Sequence, residues 1–90
     1  MKLLWTVTGW EQYESWHVDD PKMNARIGDL IRDAKRHPFA GIGHPEPLRG
    51  DKHGWWSRRI TQEHRLVYRV TGKGDDKALE IASCRFHYGA

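Results

Sequence analysis

The sequence predicts an α+β fold: two N-terminal helices packed on one face of a twisted antiparallel β-sheet, in the order β-α-α-β-β-β. Three observations predict it. In the first half, Met23, Ile27, Leu30, Ile31 and Ala34 recur at helical spacing. In the second half the period changes to two: within HRLVYRV (64–70), Leu66, Tyr68 and Val70 fall on one face and Arg65, Val67 and Arg69 on the other. The third is size. A chain of 90 residues buries only about 60–65% of its unfolded surface. That allows one domain over residues 1–90, with one sheet and one or two helices.

Taken in order, LLWTV (3–7) is β-branched and aromatic enough for a short first strand. Thr8 is placed to cap a helix over Gly9–Val18, with Trp10, Tyr13 and His17 on one face and Trp16 beside it. Asp20-Pro21 restarts the chain as an N-cap followed by proline at the first helical position. The second helix then runs to Arg36, with Asp29, Arg32, Asp33 and Lys35 toward water, and Pro38 stops it. A long connector rich in Gly and Pro covers 40–54, and connectors of this length are often functional. WWSRRIT (55–61), a tight turn at 62–63 and HRLVYRV form a hairpin. In a strand, Trp55 and Trp56 are each expected in the core. After a turn at 71–76 the last strand spans 78–88, with Ala82 and Cys84 on its core side. With both helices on one face, the opposite face stays partly open and carries the Arg65 row.

Composition narrows the function. The formal net charge is +3. Arg49, Lys52, Arg58, Arg59, Arg65 and Arg69 cluster around the predicted hairpin, and arginine suits bidentate phosphate contacts. One cysteine excludes a disulfide framework and a thiolate metal cage. Six scattered histidines show no ligand spacing, so no metal site is expected. No nucleotide or hydride cofactor motif is present. MKLLWTVTGW is too short an apolar run for a signal peptide, and no stretch reaches the length of a membrane span. The expectation is a cytoplasmic protein.

What remains is a basic sheet face, carboxylates in its loops and a histidine near the end. Cleavage of RNA by acid–base chemistry needs a base for the ribose 2′-OH, an acid for the leaving 5′-oxygen and cations for the phosphorane. The chain offers Glu46 or Glu63 as base, His87 as acid, and Arg49, Arg59 and Arg65 as clamps. A non-catalytic basic nucleic-acid-binding module would explain the arginine stripe and the tryptophan pair but gives no reason for Glu46 or for His87-Tyr88.

The segments HPEPLRG (44–50), WWSRRITQEHRLVYRV (55–70) and ASCRFHY (82–88), opening with MKLLWT and W-x-x-Y-x-x-W, carry a resemblance. The sequence resembles the YoeB/Txe toxins of bacterial toxin–antitoxin modules, a branch of the RelE superfamily, over nearly its whole length. The resemblance implies the RelE/ParE-like fold. It further implies an endoribonuclease that enters the A site of the 70S ribosome and cuts mRNA there without a metal, leaving a 2′,3′-cyclic phosphate and a 5′-OH. It implies a YefM-like antitoxin as partner, operator DNA bound through that complex, and a possible homodimer. Residue by residue, it implies Glu46 as general base, Arg65 holding the scissile phosphate and stabilising the transition state, and His87 as general acid. Arg59 and Arg49 become further phosphate contacts, Tyr88 stacks on a base, and Glu63 orients an arginine. Arg85 leads into this site. Gly89-Ala90 follow the His-Tyr pair that normally ends or nearly ends such chains. The alternative within the superfamily, a ParE-like gyrase inhibitor, lacks the Glu/Arg/His/Tyr set.

Overall fold

The structure is a computed structural model, and it describes residues 1–86. The chain runs β1 (Lys2–Trp5), α1 (Val7–Asp19), α2 (Pro21–Arg36), β2 (Glu46–Pro47), β3 (Trp56–Arg59), β4 (Arg65–Thr71) and β5 (Ala78–Ser83). Single turns of 3-10 helix lie at Gly50–Lys52 and Gly74–Asp76. The five strands form one sheet in the order β1-β5-β4-β3-β2. The α+β expectation of two helices on a sheet holds. The sheet is mixed rather than wholly antiparallel, because β1 pairs parallel to β5, with Leu3 opposite Leu79. A parallel pair needs a long crossover, and the two helices and the β2–β4 unit supply it.

The helix starts follow local chemistry. α1 is capped by Thr6, not Thr8: the Thr6 hydroxyl accepts from the Gly9 N–H at 3.0 Å and donates to the Ala82 carbonyl at 2.8 Å. This cap ties the helix start to β5, a tertiary term that local sequence does not display. Gly9 lets the helix sit close on that strand, since a Cβ there would lie 2.8 Å from the Ile81 carbonyl oxygen. α2 begins as its sequence predicts, with the Asp20 carboxylate accepting from the Lys22 N–H and Pro21 in the first turn. It ends at Arg36, capped by His37.

The core lies between the helices and one sheet face. Trp16, Ile27, Leu30, Ile31 and Ala34 pack on Ile60, Leu66, Tyr68, Leu79 and Ile81, with Trp5, Tyr13, Met23, Trp56 and Val70 at its margins. The two adjacent tryptophans divide. Trp56 joins the core margin and meets Phe39, with ring centroids 4.8 Å apart. Trp55 lies on the opposite face under the Arg69 guanidinium, 4.4 Å from its ring centroid.

The strands differ from expectation in several places. β1 ends at Trp5 rather than at residue 7, because α1 already starts at Val7. The 40–54 connector contains β2, a two-residue edge strand that pairs Glu46 with Ser57 and Pro47 with Trp56. The β3–β4 connection is longer than a tight turn, because Ile60 is buried in the core and the Ile60 and Thr61 N–H groups both donate to the His64 carbonyl. The last strand ends at Ser83. It also carries an irregularity: Val67 faces Ser83 while Tyr68 faces Ile81. Ala82 is the extra residue of a β-bulge. The bulge resets the alternation, so Leu79 and Ile81 face the core, Ala82 does not, and Cys84 does.

Candidate functional site

The hairpin sets the site through side-chain parity. Arg58 pairs with Leu66 and Arg59 with Arg65. The first pair points to the core and the second to the face without helices. Arg58 is wholly buried, and its five donor contacts are all made. Nε donates to the Tyr68 hydroxyl, Nη1 to Asp33 and the Ile42 carbonyl, and Nη2 to the His37 and Ala40 carbonyls, at 2.6–3.2 Å. Asp33 therefore leaves the predicted water-facing side of α2 to serve this arginine. The Arg58 hydrogen bond holds the Asp33 carboxyl below the usual carboxylate range, helped by the Ile42 N–H. Burial pushes the Tyr68 phenol up, against the opposing Arg58 hydrogen bond.

On the open face, Arg59 and Arg65 stand directly opposite each other. Opposed residues place their Cβ atoms about 4.5–5.5 Å apart, and like charges there repel. Glu46 shares this face: it pairs with Ser57, two residues along β3 from Arg59. The row Glu46, Ser57, Val67 and Ser83 crosses the sheet, and its middle members Ser57 and Val67 are buried. Glu46 is exposed at one end of the row. Arg69 lies on the same face between Trp55 and Glu80, with Nε 2.7 Å from the Glu80 carboxylate.

Local structure aims these groups. The chain enters β2 through Gly43 and His44, both in the left-handed region at φ 80° and 54°. A side chain at Gly43 would also collide with Leu30, 2.7 Å away. The Gly43 carbonyl accepts from the Arg59 N–H at 2.6 Å, and the Leu48 N–H donates to the Trp55 carbonyl at 2.9 Å. Buried Leu48 anchors the far side. The Arg65 guanidinium is oriented by carbonyls rather than by the Glu63 carboxylate: Nη1 lies 2.9, 3.0 and 3.2 Å from the Thr61, Gln62 and His64 oxygens. Glu63 is exposed in that turn and joins no ion pair among the described residues. Arg49 is exposed in the loop after β2.

The structure thus brings Glu46, Arg59 and Arg65 together and leaves Arg49 and Glu63 in flanking turns. His87, Tyr88 and Gly89-Ala90 lie outside the described residues. The described chain ends at Phe86, whose carbonyl accepts from the Arg65 N–H at 3.1 Å. Arg85 does not lead into the site. It turns back to α1, where Nη1 meets Asp19 and Ser15, each at 2.7 Å, and its guanidinium stacks 4.0 Å above the Trp16 ring centroid. Gln12, Ser15, Asp19 and His64, all holding the segment 84–86, were not singled out by motif. A signal existed: Gln12, Ser15, Trp16 and Asp19 recur at i, i+3, i+4 and i+7 on α1. No helix among the described residues is long and apolar enough to cross a membrane.

Comparison with known proteins shows the family and the fold. Residues 5–88 match the family model of the YoeB-like toxin of the bacterial type II toxin–antitoxin system. Toxin YoeB of Escherichia coli K12 is 50% identical over 88 residues, covering 98% of this chain and 100% of the relative. The YoeB/ParE toxin from Agrobacterium tumefaciens, a solved structure, is 60% identical with a TM-score of 0.93, covering 98% of this chain and 100% of that one. The Staphylococcus aureus YoeB dimer superposes at 37% identity and TM-score 0.85, and the same toxin in its heterotetrameric YoeB-YefM complex at 38% and 0.84, each over 98% of both chains. The chain belongs to the YoeB-like family of toxins of bacterial type II toxin–antitoxin systems.

Proposed function

We propose that this toxin is a ribosome-dependent endoribonuclease that cleaves mRNA in the A site and so stops translation. The observation that carries the reading is the Arg59–Arg65 pair on the open sheet face, with Glu46 on the same face. Two arginines set directly opposite each other on neighbouring strands repel, and an anion bound beside them relieves that cost. A phosphodiester is such an anion, and it accepts bidentate contacts from both.

The chemistry follows from the groups. Glu46 takes the proton of the ribose 2′-OH as its oxygen attacks phosphorus. Negative charge builds on the non-bridging oxygens, where Arg59 and Arg65 meet it. The bond from phosphorus to the 5′-oxygen breaks, and His87 gives that oxygen a proton. The products are a 2′,3′-cyclic phosphate and a 5′-OH. Arg49 contacts a neighbouring phosphate, Tyr88 stacks on a base of the codon, and Glu63 borders the Arg65 turn. The A site supplies the alignment of the codon, as proximity catalysis requires. A YefM-like antitoxin neutralises the toxin, and the complex binds operator DNA; the solved YoeB-YefM complex and YoeB dimer of the relative support an antitoxin partner and a homodimer here.

Cleavage rates on programmed ribosomes test this. Arg65→Ala and His87→Ala are each expected to lower the rate by about a hundredfold or more. An mRNA carrying one 2′-deoxynucleotide at the cut site is expected to stay intact. Parental rates from either variant, or cleavage at the deoxy position, contradict the mechanism.

A further inference from the structure

β5 ends at Ser83, yet each of the three following residues is hydrogen-bonded by side chains from α1 or from His64. Gln12 on α1 accepts from two successive backbone N–H groups through one oxygen, Cys84 at 2.7 Å and Arg85 at 3.1 Å. The Trp16 indole N–H donates to the Cys84 carbonyl at 3.0 Å. Ser15 and Asp19 take the Arg85 guanidinium. On the sheet side, His64 Nδ1 accepts from the Phe86 N–H at 2.7 Å, which places the ring proton on Nε2. Phe86 itself sits at φ 67°, a conformation that a bulky residue keeps only when its surroundings hold it there.

His64 also serves the site. Its backbone carbonyl takes Arg65 Nη1 while its ring takes the Phe86 N–H. One residue thereby fixes both the phosphate-binding guanidinium and the segment that immediately precedes His87. Helix packing alone does not require this: the apolar side of α1 needs Trp16, but not two amides gathered on Gln12.

We propose that Gln12 and His64 are positioning residues for the cleavage reaction: they clamp Cys84–Phe86 from two sides and so set where the chain delivers the general acid. The proposal rests on the reading of His87 as that acid.

Two measurements test it together. The first is single-turnover cleavage on ribosome–mRNA complexes by Gln12→Ala and His64→Ala, in parental and His87→Ala backgrounds. Each variant is expected to lower the maximal rate about tenfold, as misplacement of a reacting group does. The half-saturating ribosome concentration should stay within about twofold, because binding is untouched. In the His87→Ala background neither should cause a further loss, since residues acting through one group are non-additive. Gln12→Glu and His64→Asn keep an acceptor near the same place and should restore most of the rate. The second is amide hydrogen exchange at Arg85 and Phe86 in the free toxin, expected to accelerate in both alanine variants and not in the conservative ones. Full additivity with His87→Ala, or unchanged exchange, overturns the clamp. If the parental toxin leaves ribosome-bound mRNA intact, the nuclease reading falls, and the exchange measurement alone decides whether the clamp stands.

Discussion

A guanidinium at position 58 uses all five of its N–H groups inside the protein, and lysine cannot copy that planar fork. Arg58→Lys leaves buried carbonyls and the Asp33 carboxylate underserved, so urea denaturation should show a loss of about 3–5 kcal/mol. Because the Arg58 hydrogen bond lowers the Asp33 carboxyl in the fold, the stability it gives is complete above the unfolded value of about 3.9 and falls away as pH drops through the lower folded value. Asp33→Asn should therefore flatten the acid limb of the stability curve measured between pH 5 and pH 2. Cys84 behaves oppositely: burial pushes its thiol up to about 12, so the group stays protonated and enclosed. A thiol reagent at pH 8 should leave the native protein unlabelled and react once urea unfolds it, and labelling at the unfolded rate would contradict the packing. Side-chain parity explains what the sequence concealed here. Arg58 and Arg59 read alike in S-R-R-I-T, and only the pairing of Arg58 with Leu66 tells the buried keystone from the exposed contact.

Among the elements, α1 depends most on close approach. Gly9→Ala puts a methyl group 2.8 Å from the rigid Ile81 carbonyl, which must push the helix from β5. Overpacking of this kind costs about 1–3 kcal/mol, readable as a lower denaturation midpoint with an unchanged slope. α2 and the β3–β4 hairpin were legible because each repeats one period over many residues. β2 was not, since two residues ending in proline carry no alternation. The bulge at Ala82 was hidden for a related reason: periodicity shows which residues alternate, not where one extra residue resets the phase. The parallel pairing of β1 depends on where the chain returns after the helices, which no local pattern records.

At the scale of the molecule, one sheet divides the labour. Its helix-covered face holds the apolar core, and its other face gathers Glu46, Arg59 and Arg65 from β2, β3 and β4. These three were readable from the sequence because the segments that carry the family resemblance are also the strands that meet there. The clamp on residues 84–86 was not, because its members lie far apart in the chain and converge only through the fold. The activity proposed for this face is cleavage of mRNA on the ribosome. Mapping of 5′ ends by primer extension on one mRNA, with and without translating ribosomes, tests it most directly. New ends are expected inside A-site codons only when ribosomes are present, and none from Arg65→Ala. Cleavage of naked mRNA at the same positions, or no new ends on translating ribosomes, would contradict it.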